Sequence, residues 1–173
     1  VGRLSFQKDI QTLLKTFKII KSELNSKLLI VGDGPQRKLV EEFKLNNPEI
    51  ESRIKLIGYS NNPYKFFKYS KVFLLTSLYE GLPNVLIESQ ILGIPIVATN
   101  SPGGTAEVLE NGKSGLLVNV KDAQELSEKT LRILREESIS KELKENMQFS
   151  IRRFEPSIVT ELLISEIKKL FNN

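Results

Sequence analysis

The chain has 173 residues, with 25 Lys and Arg against 21 Asp and Glu for a net charge of +4, and contains no Cys, His or Trp. That length suits one domain with a substantial core. The missing residues exclude disulfides, thiolate nucleophiles, Cys-rich zinc sites and a Ser-His-Asp relay, so proton chemistry falls to carboxylates, Lys, Tyr or another chain.

Taken in order, the chain opens on Val1-Gly2-Arg3-Leu4, which reads as the end of a strand entering a loop without room for the strand body. That opening predicts an excised piece of a larger protein. Residues 7–25 follow, with Ile10, Leu13, Leu14, Phe17 and Ile20 at helical spacing. Short apolar runs predict strands at 27–31, 53–57, 72–76, 95–99 and 115–118, each suited to burial on both faces. Between them, 35–46, 63–69, 83–92 and 105–109 read as helices. Pro35, Pro63, Pro83 and Pro156 all fall where a helix would begin, a position that needs no amide donor. Strand and helix alternation predicts an α/β, doubly wound, mostly parallel Rossmann-like sheet with helices on both faces. The tail breaks that pattern: 122–136, 139–149 and 156–171 are three amphipathic stretches with no strand between them, expected to cap the sheet.

With 40% hydrophobic and 27% charged residues the chain is globular in composition. Apolar runs stop at four residues, as in Val72-Phe73-Leu74-Leu75, which predicts neither a transmembrane span nor a signal peptide. Lack of Cys is compatible with the cytoplasm. Charge is uneven: residues 1–70 hold 13 Lys/Arg and 7 Asp/Glu, and residues 71–173 hold 12 and 14. A basic first half could attract an anionic ligand, nucleic acid or acidic lipid headgroups, although a solvated helix surface with extra Lys explains it better before any motif is considered.

In an open parallel sheet, ligands bind outside the carboxyl ends of the strands. The loop Gly32-Asp33-Gly34-Pro35 resembles half a dinucleotide fingerprint, but Arg37 stands where the third glycine belongs, so a tight strand-to-helix turn explains it better. The loop from Ser77 to Glu88 carries more. It places Glu80 in the loop, and Glu88 on the same helix face as Asn84. The amides of Leu82, Asn84 and Val85 lie at a helix N-terminus, where free N–H groups and the dipole favour phosphate, while Pro83 contributes none. A loop acid can accept sugar hydroxyls and a helix acid both hydroxyls of a ribose. Arg3 and Lys8 could converge on a diphosphate without metal, since Asp occurs only at Asp9, Asp33 and Asp122 and no Asp-x-Asp exists. Gly103-Gly104 and Glu107 could close over the same ligand or form a simple turn.

Together with Ile57-Gly58-Tyr59, the segment 93–98 and Asn111-Gly112 before residues 115–118, these residues resemble the C-terminal, nucleotide-sugar-binding half of retaining glycosyltransferases of the twin-Rossmann (GT-B) architecture, group 1 or family 4. The resemblance spans nearly all of residues 1–173, as a single donor-binding domain whose N-terminal acceptor domain lies outside this chain. It implies that Arg3 and Lys8 grip the donor diphosphate, that Glu80 contacts the transferred sugar, and that Gly81, Leu82, Asn84 and Val85 hold sugar and phosphate. Glu88 would bind the ribose, and the base would lie near Gly58. Configuration would be retained without metal or other cofactor, the nucleotide sugar being substrate. One departure is Gly81-Leu82-Pro83, where many members have Gly-Phe-Gly, which costs one donor amide. The segment 82–86 is similar to a branch working on bacterial polysaccharide, lipopolysaccharide or glycolipid. That implies a saccharide or lipid-linked acceptor, no nucleic acid, and a cytoplasmic enzyme with the inner face of the membrane as an option. Without its acceptor domain the chain would bind donor weakly and not turn it over, and the last helix would expose Leu162, Leu163 or Ile167. Two rivals are a nicotinamide dehydrogenase domain and a nucleic-acid module. The second rests on Lys and aromatics at 64–69, where helical spacing assigns Phe66, Phe67 and Tyr69 to packing.

Overall fold

A computed structural model describes residues 1–171. After a 3-10 turn at Phe6–Lys8 come α1 (Ile10–Glu23), β1 (Leu28–Val31), α2 (Arg37–Leu45), α3 (Pro48–Glu51), β2 (Ile54–Gly58) and α4 (Tyr64–Phe67). They are followed by β3 (Phe73–Leu75), α5 (Asn84–Ile91), β4 (Ile96–Thr99), α6 (Thr105–Val108), β5 (Leu116–Val118), α7 (Ala123–Arg135), α8 (Glu137–Ser150) and α9 (Pro156–Phe171). Every expected strand is present, and the one-turn helix α3, opened by Pro48, is additional. Of the four prolines expected to open helices, only Pro156 lies inside its first turn; Pro63 and Pro83 precede α4 and α5 by one residue, and Pro35 precedes α2 by two.

All pairing between the named strands is parallel. Leu28 lies opposite Ile54 and Ile30 opposite Leu56, then an irregularity brings Val31 opposite Gly58. On the other side β4 pairs with both β3 and β5, Leu74 facing Val97 and Ala98 facing Leu117. The strands therefore form a two-stranded and a three-stranded sheet rather than one continuous sheet. Residues 1–4, expected as a strand end, have irregular backbone and meet β1 where the Gly2 N–H donates to the Val31 carbonyl at 2.9 Å. Between the sheets lies a cavity of about 840 Å³, lined by β1 and residues 72–76 and flanked by Phe17 and Phe67.

Helix α1 follows the predicted spacing: Ile10, Leu14, Phe17 and Ile20 are buried, each burial contributing roughly 1.5–3 kcal/mol. Its start is fixed by Asp9, whose carboxylate accepts the Thr12 amide at 3.2 Å. Ile10, Leu14 and Phe17 join Ile30, Val40 and Ile54 in one core, while β4, buried along its whole length, centres a second core with Leu86, Val108, Leu126 and Met147. Helix α7 ties the halves together by packing on α1 as well as on β4 and β5. The tail caps the sheet only in part: α8 packs on α5 and α7, and α9 rests on the turn at Ile151–Phe154. Leu162, Leu163 and Ile167 are exposed as expected. Tyr69 is not packed; it is 76% exposed because α4 ends after one turn at Phe67, which does pack, stacked on Phe73 at 5.6 Å. No described helix is long and apolar enough to cross a membrane.

Candidate functional site

Parallel pairing within each sheet points its strands the same way, so the loops after β1 and β2 share one rim and those after β3, β4 and β5 share another. There the loop leaving β3 is stitched to the turn before α1. Thr76 Oγ1 donates to the Lys8 carbonyl at 2.7 Å, and the Leu78 amide to the Gln7 carbonyl at 2.8 Å. These two bonds bring together residues more than 65 positions apart. Lys8 Nζ lies 2.5 Å from Glu80 Oε1, which also accepts the Ser77 hydroxyl at 2.5 Å. Gln7 Nε2 reaches Glu80 Oε2 at 3.4 Å and the Tyr79 carbonyl at 2.8 Å. The Glu80 side chain is only 7% exposed and that of Lys8 22%. A charge-assisted pair in such a partly dry site is stronger and better fixed than its surface counterpart.

The loop after β4 closes on the same segment. The Glu80 amide donates to the Pro102 carbonyl at 3.0 Å, the Gly104 amide to the Gly81 carbonyl at 2.7 Å, and Thr99 Oγ1 to the Ser77 carbonyl at 2.6 Å. Gly103 has φ +109°, and a Cβ there would stand 1.6 Å from the Glu80 carbonyl oxygen. Gly103 and Gly104 thus pack against the backbone of the Glu80 loop, a contact neither expected role described, and Glu107 lies exposed in the first turn of α6.

At the start of α5, Pro83 has φ −77° and ψ 82°, close to the centre of an inverse γ-turn. That conformation turns the Asn84 amide back onto the Leu82 carbonyl at 2.9 Å. The Asn84 amide, expected to face a ligand, is therefore already engaged. Among the described residues the amides of Gly81, Leu82 and Val85 have no backbone acceptor, and Leu82 is half exposed. Glu88 follows on the next turn and accepts the Tyr64 hydroxyl at 3.3 Å; its negative charge raises the Tyr64 pKa above the ordinary 10.0.

The remaining candidates lie on the other sheet's rim. The Leu4 amide donates to the Asp33 carbonyl, the Gln36 amide to the Leu4 carbonyl, and a Cβ on Gly32 would stand 1.8 Å from the Gly2 carbonyl. The glycines of this loop thus allow the backbone at residues 2–4 to cross it closely, a role beyond the strand-to-helix turn expected of them. Arg3 is exposed and its guanidinium has no ion-pair partner among the described residues. Gly58 ends β2 with φ +81°, its carbonyl accepting the Gly32 amide at 2.8 Å. Arg37, raised in pKa by its hydrogen bond to Glu41 and by Asp33, reaches within 3.8 Å of the Gly58 Cβ position. The structure thus joins Lys8 to Glu80 and sets Arg3 and Gly58 on the neighbouring strand ends. Gln7, Ser77 and Tyr64 were missed in the sequence. For Ser77 a signal existed, a hydroxyl three residues before an acid in a post-strand loop.

Residues 1–149 match the family described as Glycosyl transferases group 1. The chain belongs to that family. It is 30% identical over 177 aligned positions to the capsular polysaccharide biosynthesis glycosyltransferase CapM of Staphylococcus aureus, covering 99% of this chain and 44% of CapM. Among solved structures, a point mutant of S. aureus TarM in complex with fondaparinux, alpha-GlcNAc-glycerol and UDP superposes with TM-score 0.84 at 23% identity, over 99% of this chain and 34% of that one. Anabaena Alr3699/HepE in complex with UDP gives TM-score 0.83 at 21% identity, over 97% and 47%. These likenesses show the fold, a Rossmann-like unit of the GT-B architecture, and this group 1 transferase chain spans less than half the length of each. Family membership favours the transferase reading over the dehydrogenase and nucleic-acid alternatives.

Proposed function

We propose that this chain is the donor-binding domain of a retaining, metal-independent glycosyltransferase that transfers sugar from a nucleoside diphosphate to a saccharide or lipid-linked acceptor in bacterial surface-polysaccharide or glycolipid assembly. One observation carries the reading: a cation and an acid, Lys8 and Glu80, meet at the rim where the strand ends open. Lys8, with Arg3, would neutralise the diphosphate, and the free amides of Gly81, Leu82 and Val85 would supply fixed donors. Glu80 would accept sugar hydroxyls, and Glu88 those of the ribose, with Tyr64 orienting it. The base would lie against Gly58.

In the transfer, the bond between the anomeric carbon and the phosphate oxygen breaks while the acceptor oxygen attacks on the same face. The acceptor proton passes to the departing phosphate, and charge building on that phosphate is met by Lys8, Arg3 and amides rather than by a metal. The acceptor site and part of the catalytic machinery would lie in an N-terminal domain, consistent with relatives more than twice this chain's length. The enzyme would work in the cytoplasm or at the inner membrane face.

Isothermal titration with UDP, GDP and ADP tests the donor reading. One nucleotide should bind weakly, with affinity lost in Glu88→Ala and Arg3→Ala. Tight NAD binding, salt-sensitive oligonucleotide binding, or turnover by this chain alone would contradict it.

A further inference from the structure

We infer that Ser77 is a positioning residue that holds Glu80 for the donor sugar, an inference that rests on the donor reading above. The carboxylate of Glu80 is served unequally. Among the described residues, Oε1 takes both strong donors, Lys8 and Ser77, while Oε2 meets only Gln7 at 3.4 Å. Oε2 is therefore the oxygen left to accept a sugar hydroxyl, and the contacts at Oε1 decide where it points.

The two donors at Oε1 differ in what a ligand does to them. Lys8 is partly exposed and carries the charge that a diphosphate seeks, so a bound donor draws its ammonium from Glu80 towards phosphate. Ser77 is fully buried and neutral. Its carbonyl is tied by Thr99 Oγ1 at 2.6 Å, and the backbone three residues on is tied by the Glu80 amide to Pro102. No phosphate competes for its hydroxyl. Once Lys8 is shared with the diphosphate, Ser77 keeps Oε1 in place, and Oε2 remains aimed at the sugar. The nucleotide itself does not depend on this contact, because Lys8, Arg3 and Glu88 hold it elsewhere.

The test compares UDP with UDP-glucose and UDP-N-acetylglucosamine by isothermal titration on the chain. In the unsubstituted protein one of the sugars should add affinity over UDP. Ser77→Ala should leave UDP affinity within about twofold and remove roughly tenfold of the sugar's gain, as expected for a hydrogen bond to a charged group. Ser77→Cys, similar in size with a weak donor, should lose the same gain. In a Glu80→Ala background, which removes the acceptor, Ser77→Ala should cost nothing further, the coupling that marks action through Glu80. Equal loss for UDP and UDP-sugar, an unchanged gain in Ser77→Ala, additive effects with Glu80→Ala, or no gain from any sugar overturns the inference while the donor reading stands. Failure of every nucleotide to bind removes the donor reading itself.

Discussion

Gly103→Ala tests the closure of the post-β4 loop on Glu80 most directly. Two costs add. At φ +109° an L-residue is strained, by about 1–3 kcal/mol. The new methyl would also stand 1.6 Å from the Glu80 carbonyl oxygen, so the two loops must part by more than an ångström, with an overpacking cost of about 1–3 kcal/mol. Gly112 separates the two, having φ +100° with nothing within 4 Å of its Cβ position. Gly112→Ala therefore carries only the strain. The difference between the variants, about 2 kcal/mol, corresponds to a Tm gap of about 4–8 °C for a domain of this size. Thermal unfolding followed by circular dichroism reads it. Displacing Glu80 should also abolish any gain in affinity from the donor sugar. Equal melting of the two alanine variants would refute the close approach and the claim that this loop positions Glu80.

Three further outcomes follow from the geometry. Lys8→Met should weaken UDP binding roughly 10- to 100-fold, the range for a charge-assisted hydrogen bond, and flatten its dependence on salt in titration calorimetry. If Glu88 grips the ribose, 2′-deoxy-UDP should bind the unsubstituted chain less well than UDP, whereas Glu88→Ala should bind the two alike. Glu125 is held below its ordinary 4.5 by its hydrogen bond with Lys129 and by the Asn119 amide. Because its folded pKa is depressed, its contribution to stability is complete above about pH 4.5 and fades as pH falls through the lower folded value. Glu125→Gln should therefore flatten the acid side of the stability curve in denaturant melts between pH 3 and 5.

Strand and helix alternation, the amphipathic face of α1 and the buried β4 were all legible in the chain, because each is written in local periodicity that survives without knowing the partners. Motif order carried the family in the same way, since Glu80, Gly81 and Glu88 lie within nine residues. What depended on non-local contact was not legible. Whether β1 and β3 share one sheet depends on what lies between them, and no property of either strand reveals it. The Asn84 amide looked available from its place at a helix start, and only the Pro83 torsions turned it inward. Tyr69 looked packed from spacing that presumed a longer helix than α4.

The opening counts show the same division. A chain without Cys or His is left with carboxylates, amines, guanidinium groups, hydroxyls and amides with which to hold a polar ligand, and that restriction is complete at the level of composition. Which amine meets which carboxylate is a different matter. Lys8 and Glu80 are 72 residues apart and pair because the Thr76 hydroxyl and the Leu78 amide bond to the backbone of Lys8 and Gln7. Ser77 joins them because its loop is anchored from beneath by Thr99. Side-chain types limit the available chemistry, but hydrogen bonds between loops set its geometry, and those exist only once the fold has brought the loops together.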